Sequence, residues 1–251
     1  MLRLIFTFMS APYRSSCAKR ITSALSVTTT GNSSLPRAYA DAKEKIFVHY
    51  SGLDLSEYAF RAGPRSPRQL LSVGRFVPTK GFDTLIDAVA MLRQRGIDCS
   101  AVIVGDGPER SALSRQIQRL GLEGIITLDQ WRTPEEVRQR MWSCTALVQA
   151  SRGIGDATPT VIKEAIATGT PVIATAQAGI PELLNFGRCG ALVPEGSPSA
   201  LADAIAAYLS DSRLREEIAA KARAYAEDLL DQHRNGRALA QRLRSCHQVL
   251  A

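Results

Sequence analysis

Residues 151–171 combine a glycine-containing loop, the expected start of a helix and two carboxylates. The helix is predicted to begin near Pro159, because the first helical turn does not need the N–H that proline lacks, and Thr158 is the predicted N-cap. Such a helix start offers backbone N–H groups and the positive end of the helix dipole to an anion. Asp156 in the loop and Glu164 on the helix can accept hydrogen bonds from hydroxyl groups. The stretch therefore favours a ligand with both an anionic group and hydroxyl groups, as in a nucleotide sugar.

Two cations, Arg75 and Lys80, follow the apolar run at residues 69–73, close to Gly74. An arginine guanidinium binds phosphate through a planar fork and a lysine ammonium acts as a point charge, so the pair suits a diphosphate. A solvated loop that happens to hold two basic residues is the alternative. The helix predicted to start at Pro159 follows another strand of the same sheet and also suits an anion, which favours the diphosphate site over this alternative.

Several other positions have both a ligand-binding and a purely structural interpretation. The glycines of residues 105–108 (GDGP) permit a ligand to approach Gly105, although a tight strand-to-helix connection would need them too. Their spacing is not GxGxxG, which disfavours a nicotinamide cofactor. Glu164 is either directed into a cleft or exposed on the helix surface. Trp131 and Trp142 are predicted to pack in the core or at its edge rather than to stack on a base.

Short apolar runs alternate with helical patterns from residue 69 onward. Because these runs do not alternate apolar with polar residues, they predict the strands of a doubly wound parallel sheet covered on both faces, an α/β fold. The predicted strands lie at residues 69–74, 100–105, 125–128, 145–149, 171–174 and 191–193. Ligands of such sheets bind beyond the carboxyl ends of the strands, so the candidate loops are residues 74–81, 105–107, 130–133, 150–158 and 175–179.

Helical periodicity fills the intervals between these strands and extends toward the C-terminus. The predicted helices cover residues 82–95, 108–120, 134–142, a segment beginning at 159, 181–185 and 198–209. Residues 212–249 are predicted to be helical with a break at Asn235-Gly236, and their mixed charges predict a solvated face. Ahead of the sheet, residues 45–49 predict a short strand and residues 61–67 a linker.

The composition excludes several classes of protein. The five cysteines and three histidines are scattered without metal-ligand spacing, so no metal is predicted and reduced thiols of a cytosolic protein are expected. A GxSxG nucleophile motif is missing from the sequence. No apolar run approaches the roughly 20 residues of a membrane-spanning helix. The net charge of +7 is compatible with an anionic ligand, an acidic membrane, nucleic acid or merely a solvated basic surface.

In this order, the motifs resemble the C-terminal, donor-binding half of the family 4 retaining glycosyltransferases (glycosyl transferases group 1), which have the GT-B fold and a Rossmann-like donor domain. The matching segments are residues 73–75, 80–81, 102–108, 156–167, 169–175, 179–182 and 190–193. The resemblance extends over roughly residues 45–210, and the ordered series is far more specific than any single segment.

The resemblance implies transfer of a hexose from a nucleotide-diphosphate sugar with retention, and without a metal or another cofactor. It assigns the donor diphosphate to Arg75 and Lys80, and the ribose to Glu164, the second acid of the family's Glu-x7-Glu motif. Asp156 stands in the place of the first acid, and its shorter side chain would change how the donor sugar's hydroxyl groups are held. The implied catalytic residues are Arg75, Lys80 and Asp156. The implied donor-binding residues are Gly74, Gly105, Ala157, Thr158, Pro159, Thr160 and Glu164.

The resemblance also implies how the chain is divided. Residues 1–67 would be a truncated remnant of the N-terminal acceptor domain with a linker, residues 68–210 the donor-binding domain and residues 211–251 a helical segment. A complete acceptor domain needs far more chain, since each βαβ unit takes about 30 residues. A gene fragment, a wrong start or an enzyme made of two polypeptides would each explain the short N-terminal part. Three functions are open: a glycosyltransferase, a nucleotide-sugar-binding module and an inactive fragment.

The partners that the resemblance implies are a nucleotide-sugar donor and a saccharide or lipid-linked acceptor, with no nucleic acid. Polysaccharide, lipopolysaccharide or glycolipid synthesis is the expected process. The expected location is cytoplasmic, either free or in peripheral contact with the inner face of the membrane.

Overall fold

The computed structural model describes residues 49–61, 65, 68–153 and 158–248. Residues 53–231 form one compact unit, and residues 1–52 with 232–251 form a second. Asp156, Ala157 and all but the last residue of the predicted strand 45–49 lie outside the described residues. The first unit holds the sheet and every described candidate site residue.

A six-stranded parallel sheet confirms the predicted α/β class. Its strands are β1 (Gln69–Val73), β2 (Ser100–Val104), β3 (Ile126–Asp129), β4 (Ala146–Gln149), β5 (Val172–Thr175) and β6 (Ala191–Val193). Their order in the sheet is β3-β2-β1-β4-β5-β6, and β1 pairs in parallel with both β2 and β4. Successive strands are added on one side of β1 as far as β3 and then on its other side from β4 onward. The position between β1 and β4 is therefore the topological switch point, at which doubly wound sheets bind ligands.

Helices cover both faces of this sheet. They are α1 (Phe82–Gln94), α2 (Arg110–Arg119), α3 (Pro134–Ser143), α4 (Thr160–Thr168), α5 (Ile180–Leu183), α6 (Pro198–Ser210), α7 (Ser212–Leu229) and α8 (Gln232–Gln248). Leu70 and Leu71, adjacent in β1, are buried on opposite faces, as strand geometry requires. Helices α1, α2 and α6 pack on the face of Leu70, and α3, α4, α5 and α7 on the face of Leu71.

The predicted break at Asn235-Gly236 is wrong, because both residues lie inside α8. The helical stretch is interrupted instead between α7 and α8, at residues 230–231. Leu230 is fully buried there, and its carbonyl accepts a hydrogen bond from the backbone N–H of Leu53 at 2.7 Å. A tertiary contact, rather than a local helix breaker, therefore sets the end of α7.

Arg65, which the sequence places in a linker, fastens two helices together. Its guanidinium donates to the carbonyl of Met141 at 2.7 Å and to that of Gly169 at 2.6 Å, at the C-terminal ends of α3 and α4. Burial lowers the pKa of Arg65 from its ordinary value. Tyr58, also ahead of the first strand, is 7% exposed in the core beneath α4 and α7. Tyr58 and Arg65 are thus integral parts of this unit.

Candidate functional site

The loops that follow β1, β2 and β4 lie against one another at the carboxyl edge of the sheet. A Cβ on Gly81, whose φ is +64°, would stand 1.9 Å from the carbonyl oxygen of Ala150. A Cβ on Gly105 would stand 1.9 Å from the carbonyl oxygen of Gly74. Only glycine fits at these positions, so the β1 exit loop is held between its two neighbours. This packing alone explains Gly105, and its contact with a ligand stays a prediction.

The β1 exit loop carries both predicted cations. Arg75 is exposed, and within the described ranges its guanidinium makes no ion pair or hydrogen bond. Lys80 ends a single 3-10 turn, and its Cδ and Cε lie 3.4 Å from where a Cβ on Gly74 would be. Because Gly81 follows directly and contacts Ala150, Lys80 lies beside the exits of both β1 and β4.

Arg152 and Gly153 fasten the beginning of the β4 exit loop. The backbone N–H of Arg152 donates to the carbonyl of Thr79 at 2.7 Å, and its guanidinium pairs with Asp83 at 2.8 Å. The backbone N–H of Gly153 donates to a carboxylate oxygen of Glu195 at 3.0 Å. The Arg152–Thr79 hydrogen bond thus holds the beginning of the β4 exit loop against the loop of the two cations. Arg152 was not singled out by sequence, since nothing local indicates its partners.

Helix α4 begins at Thr160, and the predicted N-cap at Thr158 is wrong. Pro159 occupies the N-cap position with ψ at 125°, and its carbonyl accepts from the backbone N–H of Ile162 at 3.1 Å. Proline has no side-chain acceptor, so the N-cap residue of this nine-residue helix supplies no side-chain cap. The N–H groups of the first turn are therefore oriented for an anion.

Glu164 lies on α4 four residues after its start, roughly 6 Å along the helix axis. The Tyr58 hydroxyl donates to Oε1 of Glu164 at 3.2 Å, and the Arg138 guanidinium lies 5.2 Å from the centroid of the Tyr58 ring. Burial raises the pKa of Glu164, while the Tyr58 hydrogen bond and the charge of Arg138 oppose that rise. Glu164 is thus half-buried and positioned, and the alternative of a solvated surface carboxylate is wrong.

Trp131, in the β3 exit loop, is 64% exposed, so its predicted packing in the core is wrong. The loop around it is held by Asp129, whose carboxylate accepts from Arg132 at 2.7 Å and from Arg140 at 2.6 Å. The hydrogen bond from Arg132, together with the backbone N–H of Gln130 and the charge of Arg140, lowers the pKa of Asp129. Trp142 does pack at an edge, with Nε1 donating to the carbonyl of Ala59 at 2.8 Å.

The described residues contain neither a metal-binding cluster nor a membrane-spanning helix. They contain no group of three or more His, Cys, Asp or Glu side chains placed to hold a metal ion. Over the same ranges, no helix is both long and apolar enough to cross a bilayer.

Together, the described residues bring the Arg75 and Lys80 loop, the beginning of the β4 exit loop and the β2 exit turn to the switch point. Asp156 and Ala157 belong to the part of the loop outside the description. Two cations and an uncapped helix start can hold a diphosphate, and a positioned carboxylate can accept from hydroxyl groups.

The fold is a doubly wound α/β domain whose switch-point loops suit an anionic ligand. The chain belongs to the glycosyl transferases group 1 family, whose model matches residues 58–225.

The chain is similar to several known proteins. It is 29% identical over 213 residues to the putative colanic acid biosynthesis glycosyltransferase WcaL of Salmonella typhimurium, covering 82% of this chain and 52% of that protein. The crystal structure of Anabaena HepE in complex with UDP and glucose matches with a TM-score of 0.71 and 28% identity, covering 80% of this chain and 57% of that one. The C-terminal domain of LpcC, a group 1 family protein of Francisella tularensis, matches in fold at 24% identity and a TM-score of 0.58, covering 69% of this chain and 95% of that domain. The chain thus spans about half the length of the curated relatives it matches.

Proposed function

We propose that this chain is the donor-binding half of a retaining glycosyltransferase. It binds a nucleotide-diphosphate sugar at the carboxyl edge of the sheet, and an acceptor-binding domain completes the cleft. The observation that carries this proposal is the contact between the loop of Arg75 and Lys80 and the exit of β4, the strand that precedes α4 in the chain. The match to one whole C-terminal domain supports the assignment to this half.

The two cations would act on the leaving group. As the bond to the sugar breaks, negative charge develops on the departing diphosphate, and fixed positive groups stabilise that charge more than they stabilise the ground state. Arg75 supplies a fork, Lys80 a point charge, and the N–H groups of α4 a partial positive charge. This set performs the neutralisation with no metal ion.

The proposal also covers the chemical class of the donor and of the acceptor. The family relationship supports a sugar donor, and the UDP and glucose bound to HepE support a nucleoside diphosphate carrying a hexose. Asp156 would contact the hydroxyl groups of the donor sugar and Glu164 those of the ribose. The acceptor would be a saccharide or lipid-linked saccharide, in keeping with the colanic acid biosynthesis named for WcaL.

Hydrolysis of the donor tests this function in the chain by itself. We expect the purified chain to release hexose from UDP-glucose or GDP-mannose slowly, with water replacing the acceptor, and with the anomeric configuration of the donor retained by NMR. Release of the inverted anomer would contradict retention. Nucleotide binding without any release would make the chain a binding module, and no binding at millimolar nucleotide would make it an inactive fragment.

Glu164→Gln is expected to stabilise the fold at neutral pH and to weaken nucleotide binding. Since burial raises the pKa of Glu164, the folded chain binds this proton more tightly than the unfolded chain. Wild-type stability therefore falls as pH rises from about 4.3, the ordinary glutamate value, through the raised value. The amide carries no such charge and still accepts from Tyr58.

Urea unfolding at pH 5 and pH 8 measures this difference. We expect the free energy of unfolding of Glu164→Gln, relative to that of the wild type, to be larger at pH 8 than at pH 5. Calorimetry should show about tenfold weaker UDP or GDP binding by the variant. A variant that is less stable than wild type at pH 8 would contradict the pKa argument. Unchanged nucleotide affinity would remove Glu164 from the site.

Trp131 is expected to report nucleotide binding by fluorescence. The exposed ring stands at the carboxyl edge, on a loop that Asp129 holds in place, and an aromatic ring offers a stacking surface for a base. In a Trp142→Phe background, Trp131 is the single tryptophan of the chain. We expect UDP or GDP to quench it saturably, and no change at saturating nucleotide would place the base elsewhere.

A further inference from the structure

Four polar side chains are buried where β4 and β5 end: Gln149, Ser151, Thr175 and Gln177. We call this set the polar floor. The Thr175 hydroxyl donates to the carbonyl of Ser151 at 2.6 Å, and the Gln149 amide donates to the Ser151 hydroxyl at 2.8 Å. Such a cluster at the carboxyl edge of otherwise apolar strands is costly unless its members are hydrogen-bonded.

Gln177 is the member of the polar floor whose side chain has no partner within the described chain. The residue is 9% exposed, and neither Nε2 nor Oε1 makes a hydrogen bond. Its backbone is well held, since its N–H donates to Thr175 at 2.9 Å and its carbonyl accepts from Ile180 at 3.0 Å. A carboxamide offers two donors and an acceptor, and burying them unsatisfied disfavours the folded state. The hydrogen-bonding groups of the Gln177 side chain therefore have no partner among the described residues.

The next residue, Ala178, adds a second unfavourable feature to the same loop. Its φ is +48°, in the left-handed region that alanine adopts at a cost. Ala176 and Ala178 are exposed on either side of the buried Gln177. Residues 176–179 thus combine a strained backbone with an unsatisfied amide, and a shift of this loop that presents the amide to a ligand would satisfy its hydrogen-bonding groups.

The order of the strands indicates which part of a ligand reaches Gln177. The cations follow β1, Trp131 follows β3 on one side, and Gln177 follows β5 on the other. From β1 to β5 is two strand spacings, roughly 10 Å, which is about the reach from a diphosphate to the far hydroxyl groups of an attached hexose. A neutral amide that both donates and accepts also complements hydroxyl groups better than phosphate.

We propose that the Gln177 carboxamide binds hydroxyl groups of the donor sugar after residues 176–179 shift to present it. The inference rests on the proposed function, because it takes the ligand to be a nucleotide-diphosphate sugar. It adds a sugar-recognising residue in the loop after β5, on the side of the sheet opposite the loop of Trp131. Gln177 would then act on the choice of sugar and leave the binding of the nucleoside diphosphate unchanged.

Gln177→Met tests this inference, since methionine keeps the length of the side chain and removes its hydrogen-bonding groups. Calorimetry would measure two pairs of ligands, UDP with UDP-glucose and GDP with GDP-mannose. The wild type and the variant are then compared on the pair that the wild type binds. We expect nucleoside diphosphate affinity to stay within about twofold and nucleotide-sugar affinity to fall about tenfold. We also expect the thermal midpoint to rise by about 2–4 °C, because an unsatisfied buried amide is removed. Gln177→Asn, whose amide is one methylene shorter, should show the same loss of sugar affinity if the methionine variant folds poorly.

Gln116→Met is the matched control. The Gln116 amide is satisfied, donating to the carbonyl of Asp83 at 3.1 Å and to a carboxylate oxygen of Asp87 at 2.7 Å. Its loss should lower the thermal midpoint and leave the ratio of sugar to diphosphate affinity unchanged.

The possible results separate this inference from the function beneath it. A wild type that binds none of the four probes overturns both. A wild type that binds a pair, with Gln177→Met retaining the wild-type affinity ratio, overturns the inference alone. A lowered midpoint with that ratio unchanged also overturns it, because the amide would then be serving the fold.

Discussion

Lys80→Ala is expected to lower the affinity of the chain for UDP or GDP by about 10- to 100-fold. Lys80 stands at the switch point, over Gly74 and directly before Gly81, which contacts the end of β4. A charge-assisted hydrogen bond from its ammonium to a phosphate contributes about 1.5–3 kcal/mol, which is the source of that range. Calorimetric titration of wild type and variant measures the difference. The loss should shrink as salt concentration rises, because the contact is electrostatic.

Lys221→Ala is the matched control for this substitution. Lys221 is an exposed lysine on α7, paired with Glu217 at 2.5 Å, and its removal takes away the same net charge. We expect its nucleotide affinity to equal that of the wild type. If both variants lost affinity equally, the effect would be one of overall charge, and the assignment of Lys80 to the diphosphate would be wrong.

Arg65→Met is expected to lower the free energy of unfolding by about 2–4 kcal/mol. The guanidinium donates to the carbonyls of Met141 and Gly169, and removing it leaves both carbonyls at the ends of α3 and α4 without that donor. Methionine preserves much of the apolar stem, so the loss reports the hydrogen bonds rather than a cavity. Urea unfolding followed by far-UV circular dichroism measures the change.

Arg119→Met provides the comparison for Arg65. Arg119 is exposed at the end of α2, and a surface change of this kind falls within about 0.5 kcal/mol. A similar stability for both variants would show that Arg65 behaves as a residue of a flexible linker. Since the Arg65 guanidinium lies at the C-terminal ends of α3 and α4, whereas the cations follow the carboxyl end of β1, nucleotide affinity of the folded variant should be unchanged.

The sheet was predictable because its strands are buried on both faces. All four residues of β4 and of β5 are buried, so apart from the terminal Gln149 and Thr175 their sequences are continuous apolar runs rather than alternating patterns. Glycine and proline mark the strand exits and helix ends, which fixed most element boundaries within one or two residues. The rule that ligands of doubly wound sheets bind beyond the carboxyl ends of the strands placed the candidate loops at one edge, whereas the order of the strands came from the structure.

Features set by distant contacts were not predictable. The end of α7 depends on Leu230 and its hydrogen bond to Leu53, which is far away in sequence, whereas Gly236 looked like the breaker and is accommodated inside α8. Arg65 looked like part of a linker because its carbonyl partners carry no side-chain signal. Local residue types cannot reveal such partners.

The sequence identified the charged residues of the candidate site, but not their hydrogen-bond partners, the N-cap of α4 or the exposure of Trp131. Glu164 was named by its motif, but its partner Tyr58 lies 106 positions earlier and is found only from the structure. Thr158 had the right side chain for a cap and the wrong position, since α4 starts one residue beyond Pro159. Trp131 was expected to be packed because most tryptophans are largely buried, and its exposure at the ligand edge was visible only in three dimensions.

Calorimetric titration of the purified chain with UDP and with GDP tests most directly whether this domain holds a nucleotide donor. We expect saturable binding of one nucleoside diphosphate at one site per chain, with a Kd below about 1 mM, and clear weakening in Lys80→Ala. A chain that is folded by circular dichroism and releases no binding heat with either nucleotide up to several times that concentration would contradict the proposed donor site.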